Sequence, residues 1–335
     1  MKSVTMKDIA QAMNTSIVSV SKALAGKSGV SEELREKIIL KAQEMGYMYA
    51  SIPTGNVKVQ GNIGILVADR FFNDSSFYSS MYRALLLECN DLGVSCLLEI
   101  VSAQNEASCN LPNLISGQKC EGIIFMGEMS PEYIKMVAQS NIPYILLDFY
   151  RDASNDDSVI SDGVSGAFQL TSYLVSLGYK SIGYVGTLLA TSSILDRYLG
   201  YHKAILTHGL AMRQDWILPD RDEDGHFVDI QLPEEMPSAF VCNCDETAYL
   251  LMGKLKDLGY DIPQDVAIVG FDDFRFATLA DPPLTTYKVN VPTMGKVTVN
   301  RIIRKMAKAP YTKGCSIISG EMVLRASTPA NPIIS

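Results

Sequence analysis

Residues 8–26, DIAQAMNTSIVSVSKALAG, decide how the N-terminal part of this 335-residue chain folds. Ile9, Ala10 and Met13 recur at helical spacing and form one apolar stripe. Thr5 precedes them with Asp8 three residues on, a capping box in which each side chain satisfies a free backbone N–H of the first turn. The polar turn MNTS follows, and Ser16 is placed to cap a second helix from Ile17 to about Leu24. Val20, Ala23 and Leu24 then face inward, Ile17, Val18, Ser19, Ser21 and Lys22 face outward, and Gly26 ends the helix. A third helix is expected from Ser31 to Gly46, with Glu32 and Glu33 suiting the dipole of its first turn and Leu34, Ile38, Ala42 and Met45 as its core stripe. Three short helices on one core, with a tight turn between the first two, make a helix-turn-helix, which lays its second helix in the major groove of DNA. The small outward side chains and Lys22 favour that reading over a plain three-helix cap.

Charge raises an objection and then answers it. The chain holds 29 basic against 37 acidic residues, a net −8, which opposes binding to a polyanion. Residues 1–58, however, contain 8 Lys/Arg and 5 Asp/Glu, a net +3, so −11 falls on the remainder. The acidic body repels DNA, the contact surface is the basic head, and its modest charge argues for a homodimer that doubles the phosphate contacts. The length suggests more than one domain, and 47% hydrophobic residues supply cores for them. With no signal-type apolar segment at the start and no uncharged apolar run of spanning length, the expectation is a soluble cytoplasmic protein without membrane attachment. Seven scattered cysteines and three histidines at no ligand spacing predict free thiols, no metal and no cofactor. Cys242-x-Cys244 is expected to be the end of a buried strand rather than a redox or metal pair.

From Asn62 onward, short β-rich runs alternate with helical ones: NIGILVA, FYSSMYRALLLECNDLG, VSCLLEIV, EGIIFMG, IPYILLD, SVISD, SIGYVG, SAFVCN, DVAIVGF and LTTYKV. Such alternation predicts parallel sheets with both faces covered. Leu92-Gly93, Leu177-Gly178 and Leu258-Gly259 repeat one glycine stop at helix ends. A break near Asp162 divides the body into two doubly wound α/β lobes of similar size, a periplasmic-binding-protein-like arrangement whose strand C-termini surround a shared cleft. The reading is a head over 1–47, a linker over 48–61 and a body over 62–330. One lobe takes about 62–161 with a return near 290–312; the other takes about 162–289 with 313–330. At the strand ends stand Asp69-Arg70-Phe71-Phe72, Asp148-Phe149-Tyr150 and Asp272-Asp273-Phe274. Aromatic faces beside carboxylates suit a polyhydroxylated ring, so a sugar-like small molecule is the expected effector.

The motif V-T-M-K-D-I-A…S-x-x-S-V-S-K-x-L-x-G…V-S-x-x-x-R-x-K-I…A-x-E-M-G-Y resembles the headpiece of the lactose/galactose-repressor family of bacterial transcription regulators. The likeness continues through S-S-F-Y, I-P-Y-I-L-L-D, L-x-x-L-G-Y-x-x-I-G-Y-V-G, D-R-Y-x-G-Y, P-x-D-V-A-I-V-G-F-D-D and P-P-L-T-T, over almost the whole chain. It implies a double-stranded, pseudo-palindromic operator contacted through Thr5, Ser16, Ile17, Val18, Ser21, Lys22, Gly29 and Ser31. It implies an effector held mainly by Arg197 and Asp272, with Asp148, Ser193, Phe77 and Ser161 lining the cleft. Asp69, Phe71 and Cys244 join that set from their places at strand ends.

Three departures matter. Lys22 stands where many relatives carry Arg, so guanine is reached without the rigid guanidinium fork. Cys244-Asp245 replaces the usual Asn-Asp, exchanging an amide for a weak hydrogen-bonding thiol. The linker MYASIPTGNVKVQ, 48–60, carries Pro53, Gly55 and Asn56 where the family's hinge helix and wedge leucine stand, so kinking of the central base step is expected to be weak or to fall to Ile52 or Val57.

Other functions fit less well. DRDEDGHFVDIQ, 220–231, imitates a calcium loop but has Gln231 in place of the closing bidentate Glu, so a solvated loop at the cleft rim is expected, with Trp216 or Asp222 in reach of a ligand. No nucleophile elbow, phosphate loop or metal set points to an enzyme. A stand-alone sugar receptor is the alternative, and the attached helix-turn-helix argues against it. The expected function is a DNA-binding repressor of carbohydrate uptake or breakdown genes, in which a bound ligand alters the spacing of two heads.

Overall fold

The computed structural model describes residues 5–24, 29–44, 61–72, 76–151, 155–222 and 225–330. The chain divides into two compact units, residues 1–58 and 59–335.

In the first unit, α1 (Met6–Ala12), α2 (Ile17–Leu24) and α3 (Glu32–Glu44) close around Ile9, Ala10, Val20, Ala23, Ile38 and Ala42. The capping box forms as expected: the Thr5 N–H donates to Asp8 Oδ2 at 2.7 Å and the Asp8 N–H to Thr5 Oγ1 at 3.4 Å. Ser16 caps α2 by accepting from the Ser19 N–H at 2.9 Å. Arg35 of α3 donates to the Ala23 carbonyl at 3.1 Å, so a charge from one helix satisfies the end of another. Gly26, Met45, Gly46 and the whole linker, with Ile52, Pro53, Gly55, Asn56 and Val57, lie outside the described residues.

The second unit holds two six-stranded sheets. The first has strand order β2-β1-β3-β4-β5-β11, from β1 (Asn62–Ala68), β2 (Ser95–Val101), β3 (Gly122–Met126), β4 (Tyr144–Leu147), β5 (Ser158–Ser161) and β11 (Cys315–Ile318). The other repeats the pattern as β7-β6-β8-β9-β10-β12, from β6 (Ile182–Val185), β7 (Ile217–Leu218), β8 (Ala239–Cys242), β9 (Ala267–Asp272), β10 (Thr285–Lys288) and β12 (Glu321–Val323). All pairings are parallel except β12 against β10. The intervening helices are α4 (Asp69–Phe72), α5 (Ser76–Asp91), α6 (Ala103–Ala107), α7 (Asn113–Ser116), α8 (Pro131–Ala138), α9 (Gly163–Ser176), α10 (Ser192–Thr207), α11 (Asp245–Asp257), α12 (Arg275–Leu279) and α13 (Val291–Met306). Both sheets reverse winding at their first strand, which opens a crevice at the strand C-termini. The three glycine stops hold, with Gly93, Gly178 and Gly259 at φ of 69°, 103° and 86°.

The chain changes lobe after β5 at Asp162, as expected, and again after β10, when α13 packs back on β3, β4 and β5. The tail corrects the expected boundaries. Residues 313–330 are expected in the second lobe, but Cys315–Ile318 pairs with Ser158–Ser161 in the first sheet, and only the later part, from β12, joins the second. Both are edge strands with alternating half-exposed residues, which carry no continuous apolar signal. The division between the units, after Lys58, falls inside the expected linker 48–61.

α9 and α10 touch backbone to backbone at Gly200, where an added Cβ would sit 2.2 Å from the Val164 carbonyl oxygen. Gly200→Ala is expected to lower the unfolding temperature of the body by several degrees, a cost of about 2 kcal/mol or more. Gly253→Ala, in α11 with open space around it, is expected to stabilise by up to about 1 kcal/mol. Differential scanning calorimetry of the two variants checks the pair; equal shifts would contradict the packing.

Candidate functional site

Two surfaces carry the expected functional residues. On the head, Thr5, Ser16, Ile17, Val18, Ser21, Lys22, Gly29 and Ser31 are all exposed. Ile17 and Val18 are 48% and 62% accessible although apolar, which a three-helix cap with no partner does not require. Gly29 sits at φ +97°, and Lys22 Nζ lies 3.3 Å from where a Cβ at Gly29 would stand, so the glycine leaves room for the lysine to extend along this face. The result is one row of small, apolar and cationic side chains on α2, the composition that fits between phosphates and base edges.

In the body, the strand ends of both lobes enclose a cavity of about 200 Å³. From the first lobe come Arg70, Phe71, Phe77, Tyr78 and Asp148, and from the second Ser193, Arg197, Arg221, Cys244, Asp272 and Phe274. At its floor Arg197 donates to the Asn243 carbonyl at 2.6 Å and to Asp272 Oδ1 at 3.0 Å, and its guanidinium lies 4.1 Å over the Phe271 ring. Tyr78 donates its hydroxyl to Asp148 Oδ2 at 3.0 Å. Asp148 Oδ1 and Arg197 Nε are buried without a hydrogen-bond partner. An orphaned acceptor and an orphaned donor at one cavity are costly unless a ligand completes them. The backbone is strained at the same places: Asp148, Asp272 and Asp273 take φ of 71°, 115° and 58°, left-handed values rare outside glycine.

Burial sets the charge state. It pushes the Asp148 carboxyl up to about 7 against the pull of Arg197, and the Asp272 carboxyl up to about 6 against the same guanidinium. Burial alone would lower Arg197, but Asp272 and Asp148 outweigh it and hold the cation. Cys244 caps α11 by accepting from the Thr247 N–H at 3.5 Å, and burial pushes its thiol up to about 11, so a neutral thiol faces the cavity.

Seven of the nine expected cleft residues converge here: Phe71, Phe77, Asp148, Ser193, Arg197, Cys244 and Asp272. Two do not. Asp69 opens α4 half-buried, and its neighbour Arg70 takes the place at the cavity, pinned by Glu106 at 2.6 Å. Ser161 is buried at the end of β5 beside a separate recess of about 10 Å³, too small for a ligand. The acidic run 220–231 also departs from a solvated loop, because Asp220 is fully buried. Its carboxylate accepts from Asn243 Nδ2 at 2.6 Å, Thr247 Oγ1 at 2.6 Å and the Thr187 N–H at 2.9 Å, and pairs with Arg221 at 3.0 Å. That consumes the first position of the apparent calcium loop. Asp222 lines the cavity, whereas Trp216 is buried with its indole N–H on the Glu235 carbonyl at 2.8 Å. Arg221, Tyr78 and Phe274 also line the cavity, beyond the residues singled out from the sequence. Tyr78 and Phe274 stand inside motifs read from the sequence, but Arg221 is aimed by a buried Asp220 that no local pattern reveals.

The lobes meet across the cleft through Tyr150 Oη to Asp196 Oδ1 at 2.8 Å, the Ser192 N–H to Glu128 Oε2 at 2.8 Å and the Phe77 and Phe274 rings, 5.2 Å apart. Among the described residues, no group of three or more His, Cys, Asp or Glu is arranged to hold a metal ion, and no helix is long and apolar enough to cross a membrane.

Both parts of the chain match known proteins. Residues 5–49 match the family model described as bacterial regulatory proteins, lacI family, and residues 171–328 match the periplasmic binding protein-like domain. The chain is 24% identical over 328 residues to the HTH-type transcriptional repressor PurR of Vibrio campbellii, covering 96% of this chain and 97% of that one. It is 25% identical over 332 residues to catabolite control protein A of Priestia megaterium, covering 97% and 99%. Among solved structures, a transcriptional regulator CelR–cellobiose complex aligns with TM-score 0.69 at 18% identity, covering 97% and 99% of the two chains. The lac repressor dimer bound to operator and the anti-inducer ONPF aligns with TM-score 0.67 at 22% identity, covering 98% and 100%.

Proposed function

Because the chain belongs to the lacI family of bacterial regulatory proteins and is a DNA-binding transcription regulator with an effector-binding body, we propose that it represses carbohydrate uptake or breakdown genes under control of a sugar-like ligand. It acts as a cytoplasmic homodimer on a pseudo-palindromic operator, with each α2 in a major groove and half-sites about one helical turn apart. Ligand binding between the lobes changes the spacing of the paired heads, and only one spacing grips the operator. We assign it no catalytic step and no cofactor.

The observation that carries this reading is the orphaned pair Asp148 Oδ1 and Arg197 Nε, buried at a cavity walled by Phe71, Phe77 and Phe274. A ring hydroxyl is both donor and acceptor and satisfies each, while the aromatic faces cover the apolar side of a pyranose. Cellobiose, the sugar in the CelR complex, has this chemistry. Thermal-shift measurements across mono- and disaccharides and sugar phosphates test the ligand class. One neutral sugar is expected to raise the unfolding temperature in proportion to the logarithm of its concentration; selective stabilisation by an anionic metabolite and by no sugar would contradict it.

A pH signature follows. Asp148 and Asp272 titrate near 7 and 6 in the free body, above the unfolded carboxyl, so the native state binds extra protons and its stability falls as pH rises from about 4 to 7. A hydroxyl donated to Asp148 favours the carboxylate and expels its proton. Effector affinity therefore rises with pH between about 5.5 and 7.5 and levels off above 8. Calorimetric titration in buffers of different ionisation enthalpy is expected to show proton release near pH 6.5 and none at pH 8.5; proton uptake would contradict the assignment.

A further inference from the structure

α5 delivers Phe77 and Tyr78 to the cleft from its first turn, and its last turn carries a feature that the regulator's function does not use. Cys89, buried near the end of α5, and Cys96, in β2, place their sulfur atoms 3.4 Å apart. The short turn between them is held by the Val94 N–H on the Cys89 carbonyl at 2.9 Å and by Gly93 at φ +69°. A disulfide needs about 2.0 Å between sulfurs, little more than 1 Å closer than the contact already made. The two sites differ in access. Cys89 is fully buried, whereas β2 is the edge strand of its sheet and Cys96 is partly exposed.

We propose that Cys89 and Cys96 form a peroxide-sensitive thiol pair that closes into an intramolecular disulfide tying the end of α5 to the edge strand. Cys96 is the attacking sulfur. Its thiolate displaces hydroxide from hydrogen peroxide and becomes a sulfenic acid; the Cys89 sulfur then attacks that sulfur, expels water and gives up its proton. The balance is two thiols and one peroxide to one disulfide and two waters. The hydrogen bond between the sulfurs supports this order, since it lowers Cys96 and, with burial, raises Cys89. Cys120 lacks such a neighbour, its thiol donating to the Leu114 carbonyl at 3.7 Å, and Cys315 stands exposed on β11.

The test uses the full chain and hydrogen peroxide. A brief pulse, quenched and followed by maleimide titration in denaturant, is expected to reduce the titratable thiols from the seven of the sequence by two. Cleavage after Glu88 and Glu99 is expected to yield a peptide containing both cysteines that is lighter by about 2 Da, the two hydrogens removed, and that dithiothreitol restores. Cys96→Ser is expected to remove the fast loss of thiol altogether, and Cys89→Ser to leave Cys96 as a sulfenic acid trapped by dimedone. If Cys315 is consumed first while the pair stays reduced, or if Cys96 passes to sulfinic acid with Cys89 still free in the wild-type chain, the proposal is overturned.

Discussion

Arg197→Ala is expected to lower effector affinity by at least about 100-fold while leaving operator affinity near wild type. The guanidinium pairs with Asp272, spans to the Asn243 carbonyl, and has its Nε buried without a hydrogen-bond partner. Removing one partner of a buried ion pair leaves the other uncompensated, at a cost of about 3–5 kcal/mol. Asp272 and Asp148 then lose the counter-charge they share, so both carboxyls hold protons at neutral pH and stop accepting from ligand hydroxyls. The unfolding temperature of the body falls with the mutation, but the head has its own core of Ile9, Ala10, Val20, Ala23, Ile38 and Ala42. Arg197→Lys restores the charge without the planar fork and is expected to recover stability more than affinity. Titration of a ligand identified by thermal shift, with operator binding measured on the same samples, checks both halves. Unchanged effector affinity in Arg197→Ala would remove this residue from the site.

Val18→Asp is expected to reduce operator binding by at least about 100-fold with no loss of folded protein. The side chain is 62% accessible in the second position of α2, so a carboxylate there costs little in the free head and sits well with the helix N-terminus. Against DNA it places a negative charge toward phosphates on both half-sites, where each cationic contact otherwise releases counterions. Lys22→Ala is expected to cost about 1–3 kcal/mol for the dimer as a whole, with relaxed preference at one base position if the lysine reads guanine. Circular dichroism of the variants and electrophoretic mobility shifts separate folding from binding; a Val18→Asp protein that binds as wild type would place the DNA-reading face elsewhere.

Most of the head was legible because its signals are local. Thr5 with Asp8 and Ser16 with Ser19 act within one helical turn, and the buried stripe follows the 3.6-residue period. The long apolar strands of the two sheets were equally plain, since strands covered on both faces carry continuous runs such as NIGILVA. The tail failed for the converse reason: β11 and β12 are half-exposed edges, and their pairing with β5 and β10 joins residues far apart in sequence. Strands ending in carboxylates and aromatics pointed to Asp148, Asp272 and Phe71, which line the cavity, whereas Phe77, in α5, came only from the family resemblance. The cleft was unreadable at Arg221, because the fully buried Asp220 that orients it lies in a run of acidic residues indistinguishable from a solvated loop. Asp69 and Arg70 show the limit from the other side, since one residue's difference in register decides which of two charged neighbours lines the cavity.

The central claim is that a small molecule in the cleft controls DNA binding by the head. Its most direct test measures the affinity of the full chain for the promoter beside its own gene, at two salt concentrations, with and without each sugar of the panel. Binding is expected to be tight and salt-sensitive, and one neutral sugar to shift it by at least about tenfold, with the shift abolished in Arg197→Ala. Sugar binding at the cleft with no change in operator affinity at either salt concentration would contradict it.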